Sequence, residues 1–211
     1  MQLFDNEISS AASRVRIALA LKGVAAERRP VTILGADAES RQAAYLSVNP
    51  QGLVPALLTD GGALITQSLA IIEYLDDRYP EPPLLPSGRE DKAFAHSIAL
   101  AIASEIHALL PPRVAAHLTA TFGADADSIG DWKRHWTREG LTAMETRIAS
   151  RRTGPFAVGN RPSVADVFLF PQAIGAERFG LDLHQWPHIA EIVSTCRAIP
   201  AFADNAPVVA K

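Results

Sequence analysis

The chain contains one cysteine, Cys196, in 211 residues, so no disulfide can form within it, which is typical of a reducing compartment. It also lacks an excess of basic residues: the net charge is −3 and the pI is near 6.1, which argues against a nucleic-acid-binding protein. No apolar run reaches the ~18 residues that a membrane span needs, and the N-terminus lacks a basic region followed by an apolar run. No metal-ligand spacing occurs among the histidines and the cysteine. These absences predict a soluble, cytoplasmic protein that binds neither metal, membrane nor nucleic acid.

Strand and helix signals alternate over the first eighty residues. Strands are predicted near residues 2–4, 27–33, 56–59 and 63–65, and helices over 14–22, 38–46 and 67–78. Asp60-Gly61-Gly62 separates the last two strands and is typical of a hairpin turn. The order β-α-β-α-β-β-α resembles a thioredoxin-like domain. We therefore expect an α/β, thioredoxin-like domain over residues 1–80.

A short proline-rich segment follows this domain and predicts a linker over residues 81–88. Beyond it no strand alternation is seen, and the apolar spacing predicts helices over 89–118, 129–150 and 187–199, the first of them bent at Pro111-Pro112. Ser163-Val164-Ala165-Asp166 matches a capping box, so a further helix should begin there. The rest of the chain, residues 89–211, is therefore expected to be an all-α domain.

Two short motifs in the first domain point to a peptide-like ligand. Val54-Pro55 begins a predicted strand, where proline cannot donate to a sheet ladder, and a cis bond there would expose the backbone of Val54 to a partner. Gln67-Ser68 begins an apolar helix, whose free N–H groups and serine hydroxyl suit a carboxylate. Backbone pairing next to an anion site favours a small peptide carrying a carboxylate.

This layout resembles the glutathione site of soluble glutathione transferases, and the resemblance extends over nearly the whole chain. It is strongest with the zeta class, which includes maleylacetoacetate isomerases and bacterial maleylpyruvate isomerases. The stretches that carry it stand in the order and spacing of that class: Ser9-Ser10 leading into Arg14–Leu19, Asn49–Pro55, Gln67–Leu75, Leu84-Leu85-Pro86 and Glu177–Leu183. The resemblance implies glutathione as cofactor, a helical substrate-binding domain and a homodimer.

Chemistry with glutathione needs a thiolate, although a cysteine thiol has a pKa of ~8.5. A hydroxyl that donates a hydrogen bond to the sulfur would favour the charged form by ~1.5–3 kcal/mol, and a helix N-terminus by ~0.3–1 kcal/mol. Ser9 and Ser10 precede the first predicted helix, and no tyrosine occurs before Tyr45 to take this role. By resemblance to the zeta motif, Ser9 is the expected catalytic hydroxyl and Ser10 the second candidate. The alternative is that both serines only cap the helix.

The resemblance also implies which residues hold glutathione. Gln67 and Ser68 would bind the γ-glutamyl carboxylate, the backbone of Val54 would pair with the cysteinyl residue, and His107 would approach from the second domain. Each has a structural alternative: a strand-entry turn at Val54, a plain helix cap at Ser68, and a partly buried polar side chain at His107.

For the substrate, the resemblance points to two cations, Arg113 and Arg178, which favour an acidic molecule. Arg178 could instead form a salt bridge near a helix end. Two residues depart from the zeta motif: Ile8 stands where an arginine is usual, and Ala11 where a cysteine is usual. The first departure removes a cation that a dicarboxylate would use, and the second leaves the proposed thiolate stabiliser in place.

These residues support several functions. The first is a glutathione transferase of zeta type that activates the thiolate with a serine hydroxyl for conjugation or cis–trans isomerisation of a small electrophile or unsaturated acid. A dedicated maleylacetoacetate or maleylpyruvate isomerase is the alternative within the same class. The second alternative is a non-enzymatic binding module. A reductase of the cysteine type is disfavoured, because Ala11 removes the expected nucleophile and Cys196 lies far along the chain.

Overall fold

The computed structural model describes residues 1–35 and 37–208, which form two compact units. The first unit comprises the residues up to Leu84 together with the tail from Asp204, and the second is Leu85–Ala203. The second domain expected from the sequence, residues 89–211, includes this tail. The tail instead contacts the first unit, since Ser13 Oγ donates to Asn205 O at 2.6 Å and Val208 N to Glu7 O at 3.0 Å. Residues 209–211 lie outside the described part.

The first unit contains a mixed four-stranded sheet and three α-helices. Its elements are β1 (Gln2–Asp5), α1 (Ser10–Leu21), β2 (Glu27–Pro30), a 3₁₀ turn (Glu39–Arg41), α2 (Ala43–Leu46), β3 (Ala56–Leu58), β4 (Leu64–Thr66) and α3 (Ser68–Arg78). The strand order is β2-β1-β3-β4, with β1 parallel to β2 and antiparallel to β3. The predicted thioredoxin-like α/β class is confirmed.

Helices α1 and α3 pack against each other and supply much of the apolar core of this unit. The fully buried side chains of these helices and of the sheet include Leu3, Val15, Ile17, Leu57, Ile71, Ile72 and Leu75. Lys22, at the end of α1, is also buried and forms an ion pair with Asp76 of α3, Nζ to Oδ1 2.7 Å. The same ammonium donates to the carbonyls of Tyr79 and Pro82, so it fixes the chain beyond α3.

The second unit is all helical, as predicted. Its elements are α4 (Arg89–Leu100), a π-helical segment (Ala101–Ile106), a 3₁₀ turn (His107–Leu109), α5 (Pro112–Phe122), α6 (Ala126–Ala149), α7 (Val164–Arg178), a 3₁₀ turn (Leu183–Gln185), α8 (Pro187–Arg197) and α9 (Pro200–Ala203). Helix α4 packs on α7, and α7 packs on α8. Nearly every residue of α7 is buried, which makes it the central helix of the unit.

The helical pattern predicted over 89–118, with a bend at Pro111-Pro112, is divided in the structure into four helical segments, the last of which begins at Pro112. The helical pattern widens to a π-helix from Ala101 and restarts at Pro112, which occupies a first-turn position where its missing N–H costs nothing. Taken as one stretch, Arg89–Phe122 is long and apolar enough to cross a membrane by length and composition, with a third of its most apolar window buried. Core helices of soluble proteins meet the same criterion, so composition alone is weak support for a span.

The capping box predicted at the start of α7 is confirmed, with both of its side-chain contacts present. Asp166 accepts from Ser163 N at 2.8 Å, and the Ser163 hydroxyl also donates to the same carboxylate. Asp166 also accepts from Ala157 N at 2.7 Å, which ties the preceding loop to the helix. The carboxyl group is fully buried, and this burial raises its pKa to about 6.

Candidate functional site

Ser9 and Ser10 lie at the start of α1, where a hydroxyl and helix N–H groups face the same region. Ser9 is the N-cap, and its Oγ accepts from Ala12 N at 3.2 Å, while Ser10 is the first helical residue. Both are half-buried. A hydroxyl that accepts one hydrogen bond keeps its own proton to donate, so capping and donation to a sulfur are compatible roles for Ser9.

The loop that carries Ser9 is fixed by buried polar contacts. Arg16 lies on α1, and its Nη1 donates to Asp5 Oδ1 at 2.6 Å and to Asn6 O at 3.1 Å. Asn6 in turn accepts from Ile8 N at 3.1 Å and donates to Val31 O at 2.8 Å. These contacts position the turn between β1 and α1, so the place of Ser9 depends on the neighbouring strand as well as on its own helix.

Val54 combines a buried side chain with main-chain groups that have no partner among the described residues. The side chain lies in an apolar cluster with Ala12, Val31 and Tyr45, and the Val54–Pro55 bond is cis. The carbonyl of Leu53, by contrast, accepts from Tyr45 Oη at 2.7 Å and from Asn49 Nδ2. Within the described residues, the N–H and C=O of Val54 make no hydrogen bond. A ligand with peptide groups could pair with them.

Gln67 has a backbone conformation that is unusual for its residue type. Its φ is 70°, and it is the one non-glycine residue with positive φ in the described part of the chain. Such a conformation costs about 1–3 kcal/mol and is concentrated at ligand sites. The Gln67 amide donates to Gln51 Oε1 at 3.0 Å and does not cap α3. The first N–H groups of α3 therefore have no side-chain cap and are available to an anion.

Ser68, the first residue of α3, is buried beside a buried cation. Its Oγ accepts from Arg14 Nη1 at 3.4 Å, and burial lowers the pKa of Arg14 to about 9, so the guanidinium is charged at neutral pH. Because Ala56 pairs with Thr66 in antiparallel register, Val54 and Ser68 lie at the same end of the β3–β4 hairpin. The first unit thus brings together a free peptide group, a helix N-terminus and a buried positive charge.

Sequence reasoning missed Arg14 as part of this arrangement. The signal was a charged residue in the middle of an apolar helical pattern, at a position that the structure buries fully. Buried charges are rare unless they have a specific structural or functional use.

The helical unit places the other predicted residues at separate points. His107 is half-buried in the 3₁₀ turn that follows the π-helical segment, and π-turns are frequent at functional sites. Helix α6 comes very close here, since a Cβ on Gly140 would lie 2.2 Å from Ile106 Cγ1. Arg113 is exposed in the first turn of α5, and no acidic group of the described chain pairs with it.

Arg178 is the last residue of α7 and lines a cleft of about 650 Å³ with Phe179, which follows it, and with residues of α5 and α6 such as Lys133. His107 and Arg113 do not line this cleft. The neighbouring carboxylate of Glu177 pairs with Arg197. The second unit therefore separates the two arginines that the sequence grouped as substrate cations.

Cys196 is buried in α8, and burial raises the pKa of its thiol well above the usual range, with Asp166 adding to the effect. A thiol of this kind is a poor nucleophile. Among the described residues, no group of three or more histidine, cysteine or acidic side chains could hold a metal ion.

The family models that match the chain are the N-terminal domain of glutathione S-transferase over residues 8–78 and its C-terminal domain over 137–193. A maleylacetoacetate isomerase from Pseudomonas aeruginosa is 42% identical over 207 residues, which cover 98% of this chain and 96% of that protein.

Two solved structures have the same fold over nearly the full length. The holo form of a bacterial maleylpyruvate isomerase of the zeta class is 36% identical with a TM-score of 0.92, covering 98% of this chain and 97% of that one. A maleylacetoacetate isomerase from Anaeromyxobacter dehalogenans with bound dicarboxyethyl glutathione and citrate is 36% identical with a TM-score of 0.85, covering 98% and 90%.

The two-unit fold and these matches define a glutathione S-transferase, and the chain belongs to that family. Within the family it belongs to the zeta class. The family and the fold predicted from the sequence are both confirmed.

Proposed function

We propose that the protein is a glutathione-dependent enzyme of the zeta class that isomerises a small cis-unsaturated acid, such as maleylacetoacetate or maleylpyruvate. The main support is the free main chain of Val54 at the same end of the hairpin as the uncapped start of α3 and the unusual φ of Gln67. These are the groups that a short peptide with a terminal carboxylate requires. Relatives named for this isomerisation cover nearly the whole chain.

The residues of the first unit fit glutathione. Val54 N–H and C=O would pair with its cysteinyl residue, and Gln67, Ser68 and the N–H groups of α3 would hold the γ-glutamyl carboxylate. Arg14 adds a buried positive charge next to Ser68, which strengthens anion binding in a site with little water. When bound, glutathione supplies a thiolate that adds reversibly to the cis double bond and is released unchanged after rotation.

Ser9 would hold that sulfur in its charged form. Its hydroxyl already accepts from Ala12 N, which leaves the proton to point toward the sulfur. Ser10 is the second donor at the same helix start. Neither serine acts as a base. An alkyl hydroxyl is far too weak an acid to lose its proton at neutral pH, so no alkoxide is available to take the proton of the thiol.

The substrate would be held by side chains of the helical unit. Arg178 and Arg113 supply the positive charge that an unsaturated acid needs, and His107 is a further polar candidate. Ile8 supplies no charge where the zeta motif has arginine, so a substrate with fewer charges is favoured over a strongly anionic one. A related isomerase has been solved with bound dicarboxyethyl glutathione, which carries two carboxylates in addition to those of glutathione itself.

Parallel assays test this proposal. Purified enzyme is given maleylacetoacetate and maleylpyruvate with glutathione at substoichiometric concentration, beside an aryl-halide conjugation assay. Turnover of a cis-acid without loss of glutathione supports the isomerase, whereas conjugation with no isomerisation of either acid identifies a general transferase.

A binding module without catalysis is the remaining candidate. It predicts retention on immobilised glutathione with no activity in any of the three assays. Failure to bind immobilised glutathione would overturn the cofactor assignment as well. Ser47→Ala serves as the matched control for serine variants, because Ser47 is an exposed serine that bonds only within its own turn.

We also propose that the protein is a cytoplasmic homodimer with no nucleic-acid or membrane partner. The family resemblance supports the dimer, and the exposed side chains of Leu100 and Phe122 offer apolar surface that a second copy could cover. The net charge and the single buried cysteine support the compartment and the lack of nucleic acid. Light scattering on the purified protein at two salt concentrations tests the oligomeric state.

A further inference from the structure

The tail of the chain, residues 204–208 within the described part, lies against the loop that carries Ser9. Two of its main-chain groups bond to residues near the start of α1. The carbonyl of Asn205 accepts from Ser13 Oγ at 2.6 Å, and Val208 N donates to Glu7 O at 3.0 Å. Glu7 is two residues before Ser9, and Ser13 is about one helical turn after it. The tail therefore contacts the chain both before and after Ser9.

The guanidinium of Arg16 joins the tail to the same loop. Its Nη2 donates to Glu7 O at 3.4 Å and to Asn205 O at 3.3 Å, and the side chain is buried. Each of these two carbonyls therefore accepts from Arg16 and from one further donor, Val208 N for Glu7 and Ser13 Oγ for Asn205. Movement of the tail would leave buried donors without their acceptor, which is costly in a site with little water.

The tail itself is held by a buried proline. Pro207 lies between the two bonding residues, Asn205 and Val208, and is buried, whereas the side chain of Val208 is 50% exposed. Proline has a fixed φ, so the tail loses less conformational freedom when it is held in one position. Val208 thus acts mainly through its main-chain N–H, which a substitution can remove without changing a buried side chain.

We propose that the tail is a positioning element for Ser9, which it holds in place through Glu7 and Ser13. Ser9 N donates to Asn6 O at 3.1 Å, and Ser9 O accepts from Ser13 N at 2.9 Å, so a shift of either neighbour moves Ser9. The inference rests on the proposed function, in which the Ser9 hydroxyl donates to the glutathione sulfur. The tail fixes the direction of that hydroxyl and needs no contact with glutathione.

Val208→Pro tests this role, because it removes the N–H that donates to Glu7 O. In the full-length, ¹⁵N-labelled protein without glutathione, the amides of Ser9 and Ala12 should exchange with solvent about fivefold faster, the equivalent of one net hydrogen bond. The amides of α7 should exchange as in wild type. With glutathione bound, the pKa of its thiol, followed by thiolate absorbance, should rise. Val208→Ala keeps the N–H and should behave as wild type in both measurements.

Ser13→Ala tests the second contact of the tail independently. It removes the hydroxyl that donates to Asn205 O, and the same faster exchange and the same rise in the pKa of the thiol are expected. Ser47→Ala is the matched control, because Ser47 is exposed and bonds only within its own turn.

Three results would overturn the proposal: unchanged exchange at Ser9 and Ala12 in Val208→Pro, faster exchange throughout the chain, or a thiol pKa equal to that of wild type. Faster exchange throughout would mean that the tail contributes only to overall stability. If wild type itself formed no glutathione thiolate, the proposed function would fail, and the exchange rates of the free protein would still decide whether the tail positions Ser9.

Discussion

The two units offer different kinds of groups to their proposed ligands. The first unit offers main-chain groups: the N–H and C=O of Val54 and the N–H groups that begin α3. The helical unit offers side chains, with Arg113 exposed on α5 and Arg178 at the end of α7. A main-chain group survives almost any substitution that keeps the fold, whereas a side-chain site changes with a single substitution.

This difference explains where the chain departs from the zeta motif. Ile8 and Ala11 stand where the zeta motif has an arginine and a cysteine, and both changes alter side chains that flank Ser9 and Ser10. Neither removes a main-chain contact of the proposed glutathione site. A fold organised in this way can keep its cofactor while its substrate varies, so membership of the class identifies the cofactor more firmly than the reaction.

The largest effect is expected at Gly52, in the loop that carries Val54, because its surroundings leave no room for a side chain. Gly52 has φ +63°, and a Cβ there would lie 2.8 Å from Ser40 O. Gly52→Ala should lower the free energy of unfolding by about 3 kcal/mol and weaken glutathione at least tenfold, because the loop that carries Val54 must move. Urea denaturation and calorimetric titration measure the two effects.

Gly61→Ala is the control for this change. Gly61 does not have positive φ, and its Cβ would meet Thr59 Oγ1 at an ordinary 3.8 Å. It should leave both quantities close to wild type. If Gly52→Ala bound glutathione normally, the shape of this loop would not determine binding, and the contrast between the two units would be lost.

Ser9 is a residue of the first unit whose side chain, and not its main chain, is proposed to contact glutathione. Ser9→Ala should reduce kcat/KM about 10–100-fold, since a hydrogen bond to a charged group contributes ~1.5–3 kcal/mol. The pKa of the bound glutathione thiol, followed by thiolate absorbance, should rise. Loss of the cap should also cost about 1 kcal/mol of stability, which Ser9→Thr should restore together with activity. Unchanged thiolate absorbance in Ser9→Ala would assign the role to Ser10.

Much of the main-chain site could be predicted from the sequence, because proline and helix-cap residues have strong local preferences. Val54-Pro55 and Gln67-Ser68 are such signals, and the structure places them at one end of a hairpin. The φ of Gln67 could not be predicted, since glutamine has no preference for that conformation and the surrounding fold imposes it. The burial of Arg14 likewise depends on how α1 packs against α3.

The helical unit was less predictable, since its site depends on contacts between distant segments. The π-helical segment Ala101–Ile106 lies in an alanine-rich stretch. A segment of only six residues fits α-helical and π-helical spacing equally well. The cleft joins Lys133 to Phe179, which are far apart in the sequence. Neither residue carries a local signal that indicates the other.

Asp166 shows that the stability of the helical unit depends on the protonation state of a buried carboxyl group. Burial raises the pKa of its carboxyl to about 6, above the unfolded value of ~3.9. The unfolded chain therefore loses this proton first as pH rises, so the contribution of Asp166 is largest below pH 4 and is lost as pH increases through 6. The total is on the order of 2–3 kcal/mol.

This pH dependence is isolated by comparing wild type with Asp166→Asn in urea denaturation between pH 4 and pH 7. The difference in unfolding free energy between the two proteins should favour wild type more at pH 4 than at pH 7. A difference that does not vary with pH would mean that the carboxyl is not protonated in this range.

A substitution of Arg178 tests whether side chains of the helical unit contribute to binding of the substrate but not to binding of glutathione. Arg178→Leu should raise the KM for the unsaturated acid about tenfold, as for the loss of one charge-assisted contact, and leave glutathione affinity unchanged. Steady-state kinetics with each substrate varied in turn separates the two constants. Arg113→Leu is the comparison, because Arg113 does not line the same cleft. A parallel loss of glutathione affinity in Arg178→Leu would contradict the division of roles between the units.

The smallest effect should also be the most specific, since it concerns a residue whose conformation is unfavourable without ligand. Gln67→Gly removes the penalty of φ 70° and should stabilise the free protein by up to about 1 kcal/mol. The same change removes the amide that contacts Gln51 Oε1, so glutathione affinity should fall severalfold. Opposite signs for stability and affinity are the expected result, measured on one preparation by urea denaturation and calorimetric titration.

Gln51→Ala, which removes the same contact but leaves φ unchanged at position 67, should lower affinity without raising stability. Equal stability in Gln67→Gly and wild type would show that this conformation costs nothing, and that glutathione binding is not the reason the chain retains it.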